Sequence, residues 1–156
     1  MQISHKKILI FGFKSSGKST FGKKLSENLN LPFFDIDLCL LSDFPKFDSI
    51  TDLFYFLGEK NFRELEKQLV EIWSDYEEGI FALGGGSLEN YEVKQIIEKF
   101  PVRIFLNPSF EILKFRIESN PSYAFFNSWE EKYLARRPTY EKFATIIITE
   151  ENSNLL

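Results

Sequence analysis

The chain has 156 residues, 44% of them hydrophobic and 27% charged, which predicts one globular domain, 1–156, with a substantial core. A net charge of −4, and no apolar run of membrane-spanning length, argue against a nucleic-acid-binding protein and against a membrane protein. A single cysteine, Cys39, excludes a disulfide framework; we expect it to be a small core residue of a cytoplasmic protein.

Apolar segments of strand and helix type alternate along the chain. The expected strands are 8–11, 33–37, 79–83, 102–106 and 145–149. The expected helices are 18–29, 50–57, 59–73, 90–100, 109–119 and 129–136, the last stopping before Pro138. We expect mobile loop structure around 120–128. This alternation predicts an α/β fold in three layers, with a central five-stranded parallel sheet flanked by helices.

The first strand runs into a phosphate-binding motif at residues 12–20, which read G-x-x-x-x-G-K-S-T. The glycines let backbone N–H groups face phosphate oxygens, and the helix that follows adds its positive end. A strand, this loop and a helix in that order predict a P-loop fold. The alternative is a plain glycine turn followed by an exposed lysine.

The motif predicts which residues bind ATP. Lys18 is expected to reach the β- and γ-phosphates, and the Ser19 hydroxyl to bind Mg²⁺ directly. The expected ATP-binding residues are Ser15, Ser16, Gly17, Lys18, Ser19 and Thr20.

Two acidic residues, Asp35 and Asp37, end the second strand at a spacing of two. In an extended chain they would point to the same side, at the sheet edge where ligands of open α/β sheets bind. We therefore expect this pair to face the Mg²⁺ ion and the phosphoryl acceptor. A solvated turn is the alternative.

Two further patterns follow along the chain. Arg63 and Glu66 lie three apart on one helix, which by itself is typical of a surface ion pair of little energy. Three glycines, 84–86, directly follow a strand. Such a run indicates that the backbone approaches a ligand or another segment closely, and the alternative is a flexible turn.

In combination, the motifs resemble the shikimate kinases, which are P-loop kinases of the nucleoside-monophosphate-kinase-like group. The resemblance covers nearly the whole chain. It rests on the phosphate loop, D-x-D at 35–37, G-E-x-x-F-R-x-x-E at 58–66, G-G-G at 84–86 and R-x-P-x-Y at 136–140. It implies transfer of the γ-phosphoryl of ATP to the 3-hydroxyl of shikimate, in aromatic amino-acid biosynthesis.

The resemblance also implies site roles. Asp37 matches the carboxylate that orients the acceptor hydroxyl, and Asp35 the one that holds Mg²⁺ through water. Arg63 and Arg136 match the arginines that grip the carboxylate of shikimate, and Gly85 matches a backbone donor to the substrate. The implied catalytic residues are thus Lys18, Asp37 and Arg63, with a substrate-binding helical segment at about 38–75.

The sequence departs from the family pattern in two places. The short lid, about 118–128, has Asn120-Pro121 where the family usually has an arginine and a proline. We expect Arg116 or Lys132 to supply that charge, or the enzyme to be slow. The last segment, 150–156, is too short for the helix that usually follows the last strand, so the adenine contacts are not predicted.

Two alternatives to a shikimate kinase remain at this point. One is a related small-molecule kinase acting on gluconate or a nucleotide; the arginine pair favours a carboxylate-bearing acceptor over a nucleobase. The other is a catalytically silent module that binds shikimate or a nucleotide, against which the complete set of Lys18, Ser19, Asp35 and Asp37 argues. No helix shows a large apolar surface face, so we expect a monomer.

Overall fold

A computed structural model gives the fold and describes residues 5–120 and 128–152. The strands are β1 (Lys7–Phe11), β2 (Phe33–Asp35), β3 (Gly79–Ala82), β4 (Val102–Leu106) and β5 (Ile146–Ile148). The α-helices are α1 (Lys18–Leu29), α2 (Ile36–Asp43), α3 (Ile50–Leu57), α4 (Glu59–Ser74), α5 (Tyr91–Ile96), α6 (Phe110–Glu118) and α7 (Trp129–Phe143). Two short 3₁₀ helices occupy Ser87–Glu89 and Ile97–Lys99.

The five strands form one parallel sheet, as predicted, and their order in the sheet is β2-β3-β1-β4-β5. β1 is central and pairs with β3 on one side and β4 on the other. Its side chains alternate between two apolar layers, with Leu9 and Phe11 in one and Ile8 and Ile10 in the other. Because all strands are parallel, their carboxyl ends share one edge, and this edge carries the site.

The acidic pair Asp35 and Asp37 does not lie on one extended strand, so the prediction of a strand over 33–37 was wrong. β2 ends at Asp35, and α2 begins at Ile36. The Asp35 side chain caps this helix, since its Oδ1 accepts hydrogen bonds from the backbone N–H groups of Asp37 (2.9 Å) and Leu38 (3.4 Å). Aspartate is a favoured N-cap residue, and its local capping bond outweighs continuation of a strand of three residues.

The prediction that the last helix stops before Pro138 was also wrong. α7 runs through Pro138 to Phe143. A proline inside a helix loses one backbone hydrogen bond, and tertiary packing has to offset that loss. Tyr140, two residues on, is almost completely buried and contacts Phe11 and Phe105, with ring centroids 5.9 Å and 5.1 Å away. The expected helix 90–100 is likewise divided into α5 and a 3₁₀ turn.

Some predicted features lie at or beyond the limits of the described residues. Residues 121–127 of the expected lid and 153–156 of the expected C-terminal segment lie outside them. The expected substrate-binding segment, 38–75, contains most of α2 and all of α3 and α4. Cys39 is half-buried and packs against the core. In the part of the chain that the structure describes, no helix is both long and apolar enough to cross a membrane.

Candidate active site

The phosphate loop connects the buried β1 to the start of α1. Ser15 (φ 66°) and Gly17 (φ 95°) both have left-handed backbone conformations, and α1 begins at Lys18. Gly12 lies against β4, so that a Cβ atom there would be 2.5 Å from the carbonyl oxygen of Leu106. The loop therefore has the conformation and the close packing that its glycine spacing predicts.

Lys18 folds back over the loop from which it projects. Its Nζ donates hydrogen bonds to the carbonyl oxygens of Gly12 (2.8 Å) and Phe13 (3.0 Å). Burial lowers the pKa of Lys18 to about 8, and the carboxylates of Asp37 and Asp35 oppose that decrease. The ammonium group is thus held beside the loop rather than exposed as in a plain glycine turn.

Ser19 and Asp35 meet across the site. The Ser19 hydroxyl donates to Asp35 Oδ2 at 2.5 Å, although the two residues are 16 positions apart. The other oxygen of Asp35, Oδ1, caps α2, so hydrogen bonds to both oxygens fix the orientation of this carboxylate. A hydroxyl and a carboxylate are the hard oxygen donors that Mg²⁺ prefers, and this pair therefore fits that ion.

Asp37 is in the first turn of α2 and mostly buried. Burial raises its pKa to about 6, the nearby Asp35 adds to the increase, and Lys18 opposes it. A buried carboxylate with a raised pKa, next to a lysine with a lowered one, is typical of a functional site.

Arg63 and Glu66 do not form the weak surface ion pair that their spacing alone suggested. Glu66 is 1% exposed, and its Oε1 is 2.5 Å from Arg63 Nη1. Its Oε2 accepts a hydrogen bond of 2.5 Å from the Ser87 hydroxyl, which in turn accepts one of 3.0 Å from the N–H of Gly84. Burial raises the pKa of Glu66 while Arg63 opposes the increase. Arg63 Nε is buried and has no partner among the described residues.

Arg136 comes from α7 and reaches the same place. A Cβ atom on Gly86 would lie 2.2 Å from Arg63 Nη2 and 3.0 Å from Arg136 Nη2, so a side chain there would displace at least one guanidinium group from its position. Tyr140 donates its hydroxyl hydrogen to the carbonyl oxygen of Gly85. The glycine triplet is therefore a close-approach segment rather than a flexible turn.

The sequence did not reveal two polar residues of this cluster, Ser87 and Glu89. Glu89 Oε1 accepts a hydrogen bond of 3.0 Å from Arg136 Nε, and its Oε2 lies 3.6 Å from Arg63 Nη2. Both residues belong to the 3₁₀ turn directly after the glycines. In the sequence, only their position directly after the glycine triplet pointed to a place in the site, because neither belongs to a recognised motif.

A cavity of about 920 Å³ lies beside the phosphate loop, and its lining includes Thr20, Phe115, Arg116 and Thr149. Arg116 Nη1 donates to the carbonyl oxygen of Ser15 at 3.2 Å. Both cations considered for the missing lid charge are exposed, and Arg116 contacts the phosphate loop, whereas Lys132 lies on α7.

A family model described as shikimate kinase matches residues 14–155. The chain belongs to the shikimate kinase family. The shikimate kinase of Dictyoglomus turgidum is 31% identical over 156 residues, which cover 92% of this chain and 87% of that protein. The family and its kinase activity, which the motifs predicted, are thereby confirmed.

Solved structures of shikimate kinases confirm the fold. The crystal structure from Aquifex aeolicus is 30% identical, with a TM-score of 0.76, and the match covers 91% of this chain and 84% of that one. The Acinetobacter baumannii shikimate kinase, solved in complex with shikimate, has a TM-score of 0.80 at 22% identity, covering 93% and 83%. That second likeness concerns the fold alone.

We predict that Glu66→Ala destabilises the protein, because it leaves the Arg63 guanidinium without its buried counter-charge. Removing one partner of a buried ion pair costs about 3 kcal/mol of unfolding free energy. Urea denaturation of the substrate-free protein measures the change. Glu64→Ala is the matched control, since Glu64 lies on the same helix but pairs with Lys67 at the surface. Equal stability of the two variants would contradict the prediction.

Proposed function

We propose that the protein transfers the γ-phosphoryl of ATP to the 3-hydroxyl of shikimate, giving shikimate 3-phosphate and ADP. The observation that carries this proposal is the convergence of Arg63 and Arg136 at Gly86, with Asp37 Oδ1 beside Gly84 of the same glycine triplet. Shikimate has one carboxylate and three hydroxyls. Two guanidinium groups suit the carboxylate, and a carboxylate beside them suits a hydroxyl.

On this proposal, the acceptor lies between the arginines and Asp37. Arg63 and Arg136 bind its carboxylate, and the backbone of Gly85 donates to it. Asp37 accepts a hydrogen bond from the 3-hydroxyl, orients it towards the γ-phosphorus, and takes its proton late in the transfer. Positioning of this kind supplies most of the catalysis in phosphoryl transfer, where little covalent chemistry is left to the protein.

The phosphate loop, Ser15 to Thr20, holds the donor on the same proposal. Lys18 neutralises charge on the β- and γ-phosphates, and exchanges its carbonyl partners for phosphate oxygens when ATP binds. Ser19 would hold Mg²⁺ directly and Asp35 would hold it through water. When bound, Mg²⁺ would offset the negative charge of the phosphates.

Shikimate and ATP are the substrates, and we propose no nucleic-acid or membrane partner. We also propose a cytoplasmic location, with which the single cysteine agrees, and a monomer, because no large apolar surface face is expected on any helix.

The experiment for this proposal is ADP release from Mg-ATP with shikimate, gluconate or AMP as the acceptor. We expect release with shikimate alone. Asp37→Asn is predicted to lose most of kcat while its affinity for ATP is kept, because the amide neither takes a proton nor carries the charge that orients the hydroxyl. Tight shikimate binding without release in the unmodified protein would favour a silent binding module, and near-normal turnover of Asp37→Asn would exclude the role of Asp37.

The raised pKa of Asp37 and the lowered pKa of Lys18 predict a bell-shaped pH dependence of kcat/KM. The value should rise as Asp37 loses its proton near pH 6 and fall as Lys18 loses its charge near pH 8. Nucleotide affinity measured without acceptor should share the alkaline limb only, since Lys18 and not Asp37 faces the phosphates. An acidic limb of equal size in nucleotide binding would contradict this assignment.

We also propose that Arg116 supplies the charge of the missing lid arginine, since its guanidinium already touches the phosphate loop. Arg116→Ala is expected to lower kcat about 10- to 100-fold, a modest share of what such a cation contributes in other phosphoryl transfers. Lys114→Ala, on the exposed face of the same helix, is the matched control. Unchanged turnover in Arg116→Ala together with a loss in Lys132→Ala would transfer the role to Lys132.

A further inference from the structure

The two arginines of the active site carry like charges and still converge on one glycine. Nη2 of Arg63 and Nη2 of Arg136 both approach the position that a Cβ atom on Gly86 would take, at 2.2 Å and 3.0 Å. Both side chains are largely buried, at 17% and 12% exposed. Two guanidinium groups in this arrangement repel each other, so each needs a counter-charge to keep its position.

Each arginine has its own carboxylate. Glu66 binds Arg63 through Nη1. Glu89 binds Arg136 through Nε at 3.0 Å, and its second oxygen lies 3.6 Å from Arg63 Nη2. Glu89 is therefore the one carboxylate of the described residues that lies within 4 Å of both guanidinium groups.

The backbone of Glu89 is well placed for this contact. Its N–H donates to the carbonyl oxygen of Gly86 at 3.0 Å, which closes the 3₁₀ turn directly after the glycine triplet. Ser87, in the same turn, is completely buried and binds Glu66. The two carboxylates are therefore connected through one short turn, and the turn holds both against the arginines.

The bond to Arg136 uses Nε, on the side edge of the guanidinium group, and not the terminal edge that Nη1 and Nη2 form. Those nitrogens face the glycine segment, where a Cβ atom on Gly85 would lie 3.6 Å from Nη1. Glu89 therefore fixes the angle of the guanidinium plane and leaves its terminal edge open for another anion.

We propose that Glu89 is a positioning residue, which holds Arg136 and Arg63 in the orientation that binds the carboxylate of the acceptor. This inference rests on the proposed function, because it concerns how the same site recognises its acceptor. Glu89 acts through the arginines and does not touch the reacting atoms.

A carboxylate so close to an anion site also repels the incoming anion, and the two effects have opposite signs. Glu89 is 44% exposed, so water screens its charge at the distance of the acceptor. The hydrogen bond from Arg136 Nε is a direct contact of 3.0 Å, where water screens the attraction less than it screens the repulsion across the longer distance to the acceptor. The orienting effect therefore exceeds the repulsion, and loss of Glu89 weakens acceptor binding.

The test compares Glu89→Ala with the unmodified protein by calorimetric titration of shikimate, titration of ADP, and steady-state kinetics. We expect the Kd and KM for shikimate to rise about tenfold, which corresponds to the loss of one charge-assisted hydrogen bond. The Kd for ADP and kcat at saturating shikimate should stay unchanged. Glu89→Gln should lose less, since its amide oxygen still accepts from Nε.

Two controls separate positioning from a general structural effect. Glu92→Ala removes a nearby carboxylate that pairs with Lys67 at the surface, and should leave all three constants unchanged. In an Arg136→Lys background there is no Nε to orient, so adding Glu89→Ala should change the shikimate Kd much less than in the unmodified protein.

The inference is overturned if Glu89→Ala leaves the shikimate Kd unchanged or lowers it, or if the loss is equally large in the Arg136→Lys background. Failure of the proposed function looks different. In that case the unmodified protein does not phosphorylate shikimate, whether or not it binds it, whereas failure of this inference alone leaves the unmodified protein active.

Discussion

The burial of β1 on both faces is the constraint on which the rest of the site depends. Its residues Ile8 to Phe11 are completely inaccessible to solvent, and each neighbouring strand pairs with it in parallel. The end of this strand is therefore fixed, and the phosphate loop begins there. Lys18 Nζ binds the carbonyl oxygens of Gly12 and Phe13, which directly follow β1. The end of this strand therefore also positions the Lys18 ammonium group.

A second constraint is the concentration of charged side chains at the carboxyl edge of the sheet, in a protein that is acidic overall. Lys14, Lys18, Arg63, Arg116 and Arg136 give the site a local excess of cations in a chain with a net charge of −4. Removing such groups from water is costly unless they are paired. Glu66 and Glu89 pair with the two arginines of α4 and α7, while Lys18 and Arg116 bind backbone carbonyl oxygens. The raised pKa values of Asp37 and Glu66 show how strongly burial acts on the acidic groups. The site can thus attract anions without a basic surface elsewhere.

Local sequence rules were sufficient where a feature depends on neighbours in the chain. The phosphate loop, the alternation of strands and helices, and the close approach at the glycine triplet all follow from spacing and side-chain size. The same rules were wrong at Asp35, where a capping bond began a helix, and at Pro138, where the buried Tyr140 kept a helix intact. In both cases an interaction that the local rules do not include determined the backbone conformation.

The sequence by itself determined the family, the parallel sheet and the residues that meet at its edge, because motif spacing and strand periodicity are properties of consecutive residues. Only the tertiary structure decided that Glu66 is buried, that Ser87 and Glu89 belong to the arginine cluster, and that Arg116 touches the phosphate loop. Those facts depend on segments far apart in the chain. Ser15 and Arg116, for example, are separated by 101 positions. A local sequence pattern does not show which distant side chains pack together and bury each other.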